Sequence, residues 1–262
     1  MINQRFISEW SNYVPWKTSE QVEQDLVICR ALVEIFSNPL LKENLAFRGG
    51  TALHKLFLKP QARYSEDIDL VQKQAIPIGP VLDELRKALD FIGKAKVDLK
   101  NNMATMRFPF ESESMPPVSL KLKVETNCRE HFTIMGFQEI PFEVESKWYS
   151  GQCLIDTYCI EELLGTKLRA LYQRRKGRDL FDLYKALNTT DIDIEKVLAC
   201  YREYMKFSVE NPPSQAEFIE NMELKIKDSY FLGDTYNVLR PEDAFDVEEV
   251  YTMVKEQVLL KL

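Results

Sequence analysis

The most constraining stretch is Phe47-Arg48-Gly49-Gly50-Thr51-Ala52-Leu53, followed downstream by Arg63-Tyr64-Ser65-Glu66-Asp67-Ile68-Asp69-Leu70. Leu45, Ala46 and Phe47 read as the end of an apolar strand that enters a tight glycine turn, with a short helix starting near Thr51. A second strand, Asp67 to Val71, carries two acids two residues apart. Side chains alternate along a strand, so Asp67 and Asp69 share one face while Ile68 and Leu70 share the other. Two carboxylates on one strand face repel, and a hard divalent cation such as Mg²⁺ is the usual remedy. Glycines at 49 and 50 let the backbone approach a bulky anion at a helix start. The two halves together predict a triphosphate cradle beside a metal site.

A third acid follows from the strand Val118-Ser119-Leu120-Lys121-Leu122-Lys123-Val124-Glu125-Thr126-Asn127. Val118, Leu120, Leu122 and Val124 take one face, leaving Lys121, Lys123 and Glu125 on the other. If this strand neighbours the Asp67 strand, Glu125 joins Asp67 and Asp69, and three carboxylates can serve two metal ions about 4 Å apart.

The run from Phe47 to Lys55, Phe-Arg-Gly-Gly-Thr-x-Leu-x-Lys, and the run Arg-Tyr-Ser-Glu-Asp-Ile-Asp-Leu resemble the AbiEii/AbiGii toxin family of nucleotidyltransferases, within the DNA-polymerase-β-like superfamily. Glu161 to Ala170 and Arg178 to Leu183 are similar to a second motif block of that family. The resemblance implies a mixed-sheet α/β (α+β) fold and transfer of a nucleoside monophosphate from an NTP to an acceptor hydroxyl. Gly49, Gly50 and Thr51, with Ser65, would hold phosphates; Asp67, Asp69 and Glu125 would bind two Mg²⁺. Lys167 would neutralise phosphate charge, Asp182 would orient it or the nucleotide, and Asp179 and Arg178 would stand close behind. It further implies a type IV-like toxin, a cognate antitoxin encoded nearby, and an RNA acceptor such as the tRNA 3′ end. Gly-Gly-Thr here replaces the commoner Gly-Ser, which alters the expected phosphate contact. A small-molecule nucleotidyltransferase and a non-catalytic NTP-binding protein remain alternative readings of the same residues.

Organisation follows from periodicity. Thr18 or Ser19 caps a helix to about Phe36, and Val81 to Ile92 forms another. Lys94–Leu99 and Met103–Phe110 read as strands around an Asn101-Asn102 turn. Residues 135–148, with Pro141, read as a connector, and a domain boundary is expected near Ser150-Gly151. That divides the chain into an α/β domain, 1–150, and an all-helical domain, 151–262. In the latter, Asp156 or Thr157 starts a helix and Gly177 reads as its C-cap. Ser214 with Glu217 forms a capping box, and Pro241 opens a final helix to about Leu260.

Composition sharpens the expected partners. The net charge of −7 sits entirely in residues 208–262, so residues 1–207 are neutral in sum. A local basic patch is therefore compatible with the acidic total. Lys167, Arg169, Arg174, Arg175, Lys176 and Arg178 are the densest cations, expected to contact phosphate or RNA. The five cysteines form no CxxC pair, and only His54 and His131 could serve a histidine-built metal centre. Reduced thiols, a cytoplasmic protein and no membrane partner are the expectation.

Overall fold

A computed structural model describes residues 2–236, 238–240 and 246–262. Its elements fall into two compact units, Met1–Leu56 with Tyr64–Tyr158, and Phe57–Arg63 with Cys159–Leu262.

The first unit is built on one mixed seven-stranded sheet. Its strands are β1 (Leu45–Arg48), β2 (Asp67–Gln72), β3 (Lys96–Lys100), β4 (Met103–Glu111), β5 (Ser119–Asn127), β6 (Phe137–Glu145) and β7 (Ser150–Tyr158). They lie in the order β3-β4-β5-β2-β1-β7-β6, with β2–β5 and β1–β7 parallel and the other pairs antiparallel. The short α1 (Gln4–Trp10) precedes α2 (Ser19–Ser37), and α3 (Pro39–Asn44), α4 (Gly49–Ala52) and α5 (Gly79–Ala88) complete the unit.

Local chemistry sets these boundaries. Thr18 caps α2 by accepting the Gln21 N–H, as its position ahead of an apolar stripe requires. Asn38 ends α2 and caps α3, its side chain accepting from Leu40 and Leu41 ahead of a helix that opens on Pro39. The β3–β4 hairpin turns on Asn101 and Asn102, both at positive φ (52° and 58°), the backbone a two-residue turn needs to follow strand twist. The apolar sides of β2, β4 and β5 are buried through Ile68, Leu70, Met106, Phe108, Leu122 and Val124.

Two expectations fail on the far side of the sheet. Residues 137–145 form strand β6, not a connector, and Pro141 is tolerated because β6 is the edge strand. Ser150–Tyr158 is strand β7 rather than the start of a helical domain, so the division falls at Tyr158 and Cys159. Asp156 and Thr157 lie in that strand, with the Thr157 hydroxyl donating to the Phe47 carbonyl at 2.7 Å.

The second unit is helical: α6 (Ile160–Gln173), α7 (Gly177–Thr189), α8 (Ile194–Ser208), α9 (Gln215–Lys225), α10 (Ser229–Gly233) and α11 (Val247–Gln257). Gly177 opens α7 instead of closing α6, and a Cβ there would stand 2.2 Å from the Phe231 carbonyl oxygen. The Ser214–Glu217 capping box is present. Asp246 caps α11 through the Glu248 and Glu249 amides, while the expected start at Pro241 lies outside the described residues. Arg63 and Ala62 belong to this unit, Ala62 packing with Phe181 and Leu239. Among the described residues no helix is long and apolar enough to cross a membrane.

Gly165 marks where α6 meets α8. A Cβ there would lie 2.6 Å from Cys200 Cβ and 2.9 Å from the Tyr201 amide nitrogen. Alanine improves helix propensity by up to about 1 kcal/mol, but overpacking against a neighbouring helix backbone costs about 1–3 kcal/mol. The clash dominates, so Gly165→Ala is expected to destabilise the protein by about 1–2 kcal/mol in urea denaturation. A stabilised variant would contradict this packing.

Candidate functional site

The glycine turn is fixed by what surrounds it. Strand β1 delivers Arg48 into Gly49, whose φ of 77° is the left-handed conformation that glycine adopts without penalty. A Cβ at Gly49 would meet Asp69 Oδ2 at 2.2 Å, so the Asp69 carboxylate lies directly against the turn backbone. Gly50 and Thr51 continue into α4. The Thr51 hydroxyl is buried and donates to the Asp67 carbonyl at 2.5 Å, so at 2.5 Å it accepts from Ser65 Oγ. Thr51 and Ser65 therefore tie the turn to the start of β2.

Farther along, Lys55 anchors the same segment. Its Nζ reaches Asp25 Oδ1 at 2.7 Å and Cys29 Sγ at 3.1 Å, and Trp10 Nε1 donates to Asp25 Oδ2 at 3.0 Å. Burial pulls the Lys55 amine down, but the Asp25 carboxylate outweighs it and holds the pKa above the ordinary lysine range. Removing one partner of so buried a pair costs about 3–5 kcal/mol.

The acids share one face of the sheet, as strand alternation requires. In the parallel β2–β5 register, Asp69 stands beside Glu125 and Asp67 beside Lys123, so all four side chains share one face. Lys123 Nζ bridges Asp67 Oδ2 at 2.8 Å and Glu125 Oε2 at 3.0 Å. Glu125 Oε1 also accepts from Thr105 Oγ1 at 3.3 Å. Burial pulls Lys123 down, but hydrogen bonding and charge from Asp67, then Glu125, hold its pKa above that of a free lysine. On the other flank Arg48 is the register partner of Asp69, and its Nη1 donates to Glu130 Oε2 at 2.5 Å.

These residues fit a hard divalent cation in donor chemistry: half-exposed carboxylates on one face, with a resident ammonium standing where positive charge is needed. No cluster of three or more His, Cys, Asp or Glu side chains close enough to hold one ion occurs among the described residues. Lys123 and Thr105 draw the Glu125 carboxylate toward β4 and β5.

Lys167, Arg178, Asp179 and Asp182 all lie in the helical unit. Lys167 Nζ pairs with Asp179 Oδ1 at 3.0 Å and Asp182 Oδ2 at 2.9 Å. Arg63 grips Asp182 with Nε and Nη2 at 2.6 and 2.8 Å, and Arg174 grips Asp179 likewise. Burial pushes the Asp179 carboxyl up, yet Lys167 and Arg174 outweigh it and keep it below the usual carboxylate range. The rest of the basic block is engaged as well: Arg175 meets Asp228, Lys176 and Arg178 meet Asp234, and Arg169 donates to Ser208 Oγ. The block is thus an ion-paired network within its own unit rather than a row of bare cations.

Sequence reasoning passed over two members of the site. Lys123 had a readable signal, since it stands two residues before Glu125 and so shares its face. Arg48 had one too, next to Gly49, but its position beside Asp69 requires knowing that β1 and β2 pair antiparallel.

Comparison with known proteins gives a family and a fold. The family described as "Nucleotidyl transferase AbiEii toxin, Type IV TA system" matches residues 30–247. The fold resembles MenT4, a nucleotidyltransferase toxin from Mycobacterium tuberculosis H37Rv, at a TM-score of 0.68 and 14% identity, covering 100% of this chain and 91% of that one. It also resembles JHP933 from Helicobacter pylori, at a TM-score of 0.55 and 17% identity, covering 93% of each chain. No curated protein matches significantly by sequence.

Lys123 competes with any cation for Asp67 and Glu125. A half-exposed ion pair is worth up to about 1 kcal/mol, so Lys123→Met is expected to bind Mn²⁺ several-fold more tightly in isothermal titration without nucleotide. Unchanged or weaker binding would contradict the bridging role.

Proposed function

The chain belongs to the AbiEii family of nucleotidyl transferase toxins of type IV toxin–antitoxin systems, and we propose that it moves a nucleoside monophosphate from an NTP to an RNA hydroxyl, such as the tRNA 3′ end. The observation that carries this reading is the shared face of Asp67, Asp69 and Glu125 beside the Gly49 turn. The reaction is Mg²⁺-dependent in this reading, and the enzyme works in the cytoplasm with an antitoxin encoded nearby.

Each residue has a role its chemistry suits. Asp67 and Asp69 would hold the divalent cation through carboxylates that are half-exposed on one face. A cation bound there would supply stabilisation of charge on the attacking and leaving oxygens. The backbone of Gly49, Gly50 and Thr51 receives the β- and γ-phosphates, with the Thr51–Ser65 hydrogen bond keeping the turn rigid. Glu125 stands next to the attacking hydroxyl and accepts its hydrogen bond once Lys123 swings aside. Lys167, Arg178, Asp179 and Asp182 would handle the nucleotide, as the family likeness of their motif implies. A phosphate that recruits Lys167 must compete with two aspartates already paired to it.

The test is incubation with each α-labelled NTP, Mg²⁺ and total cellular RNA. Wild-type protein is expected to label RNA and to stop when EDTA is added. Asp69→Asn keeps side-chain size against Gly49 and is expected to reduce transfer by at least about 100-fold, a loss typical of one removed transition-state stabiliser, with an unchanged melting temperature. Labelling by a folded Asp69→Asn protein at the wild-type rate overturns the assignment, and label appearing only in small molecules overturns the RNA acceptor.

A further inference from the structure

The face that carries Glu125 continues outward across β4 and β3. In register, Lys123 stands beside Arg107, and Arg107 beside Lys96; Glu125 stands beside Thr105, and Thr105 beside Asp98; Met103 stands beside Lys100. Lys121 is one step along β5 from Lys123 and pairs with Pro109. The opposite side of these strands is closed by Ala104, Met106, Phe108, Leu122 and Val124. The outward side is open: Lys96, Lys100 and Lys121 are exposed and Arg107 is half-buried.

These cations differ from those of the helical block. Among the described residues Lys96, Lys100, Arg107 and Lys121 take part in no ion pair, whereas Lys123 is held by two carboxylates. On β3 and β4 the acids of that face are Asp98 and, at the far end of β4, Glu111, while Glu125, Asp67 and Asp69 lie at its inner end, where Lys123 pairs with Asp67 and Glu125. A cation set left unneutralised beside acids that handle a nucleotide demands an anionic counterpart.

The surface is physically continuous with the site. A cavity of about 510 Å³ is lined by Glu66, Asp67, Pro109, Lys121 and Lys123. Gln24 fixes its wall, donating to the carbonyls of Glu66 and Lys121 at 3.0 Å each. From Asp67 to Lys96 is three strand spacings, about 14 Å, enough for a few nucleotides of a single strand.

We propose that the open face of β5, β4 and β3 seats the phosphate backbone of the acceptor strand. Its terminal nucleotide occupies the cavity at Asp67, and the preceding phosphates run over Lys121 and Arg107 toward Lys96 and Lys100. This rests on the RNA-acceptor reading and locates that acceptor. Backbone contacts of this kind position a strand without reading its sequence, so the face sets the reach and direction of the acceptor rather than its identity.

The test is salt-dependent binding of a fluorescent single-stranded RNA to wild-type protein and to Lys96→Gln/Lys100→Gln/Arg107→Gln/Lys121→Gln. Each lost phosphate contact removes about 0.7 from the slope of log K against log salt. The variant is expected to lose about 2–3 units of slope and at least tenfold in low-salt affinity, while a fluorescent NTP analogue binds as before. Wild-type slope and affinity in the variant overturn the proposal. Cross-linking of 4-thiouridine RNA to wild-type protein supplies an independent reading: peptides within residues 96–123 support it, and their absence from the cross-linked set overturns it. A wild-type protein that binds no RNA sinks the acceptor reading itself; RNA binding with an unaffected variant sinks only this placement.

Discussion

The Asp69 carboxylate pressed against the Gly49 backbone is the contact on which the site depends. It leaves no room for a Cβ at position 49, where the backbone is left-handed, and sets the strand carrying Asp69 hard against the turn. The parallel pairing of β2 with β5 then brings Glu125 alongside, and carboxylates crowd one face. Lys123 answers that crowding from within the sheet. An unpaired cluster of this kind would repel itself in the folded state; with a lysine bridging two of its members the apo protein is electrostatically settled, yet the bridge is half-exposed and exchangeable.

The helical unit solves a related problem differently. Arg63, Asp182, Lys167, Asp179 and Arg174 alternate in sign through a chain of ion pairs that is buried up to its exposed end at Arg174. Buried pairs add little net stability compared with apolar packing, but each becomes costly to break once formed. This fixes Lys167 in one place, where a solvated lysine would sample many.

Much of this was legible in the chain. The Asp67–Asp69 spacing and the alternation around Glu125 placed three acids on one face, because strand periodicity is local and the register followed from the neighbouring-strand assumption. The cap at Thr18, the Asn101-Asn102 turn and the Ser214–Glu217 box are likewise contacts within a few residues. What escaped depended on distant partners. Strand β6 carries Pro141 and alternates poorly, since it sits at the edge. Gly177 stands at the start of α7, against the Phe231 carbonyl, rather than at the end of α6. The residue 167–178 block counts as basic in sequence, but counting charges does not reveal Asp179, Asp182, Asp228 and Asp234 folding onto it.

The central claim is that Asp67 and Asp69, at the mouth of the glycine turn, bind the metal–nucleotide complex. Anomalous diffraction from crystals grown with Mn²⁺ and a non-hydrolysable NTP tests it most directly. The account predicts a Mn²⁺ peak about 2.1 Å from oxygens of Asp67 and Asp69, phosphates against Gly49 and Gly50, and Lys123 displaced from its bridge. A Mn²⁺–nucleotide complex bound elsewhere, with the Lys123 bridge intact, would contradict it.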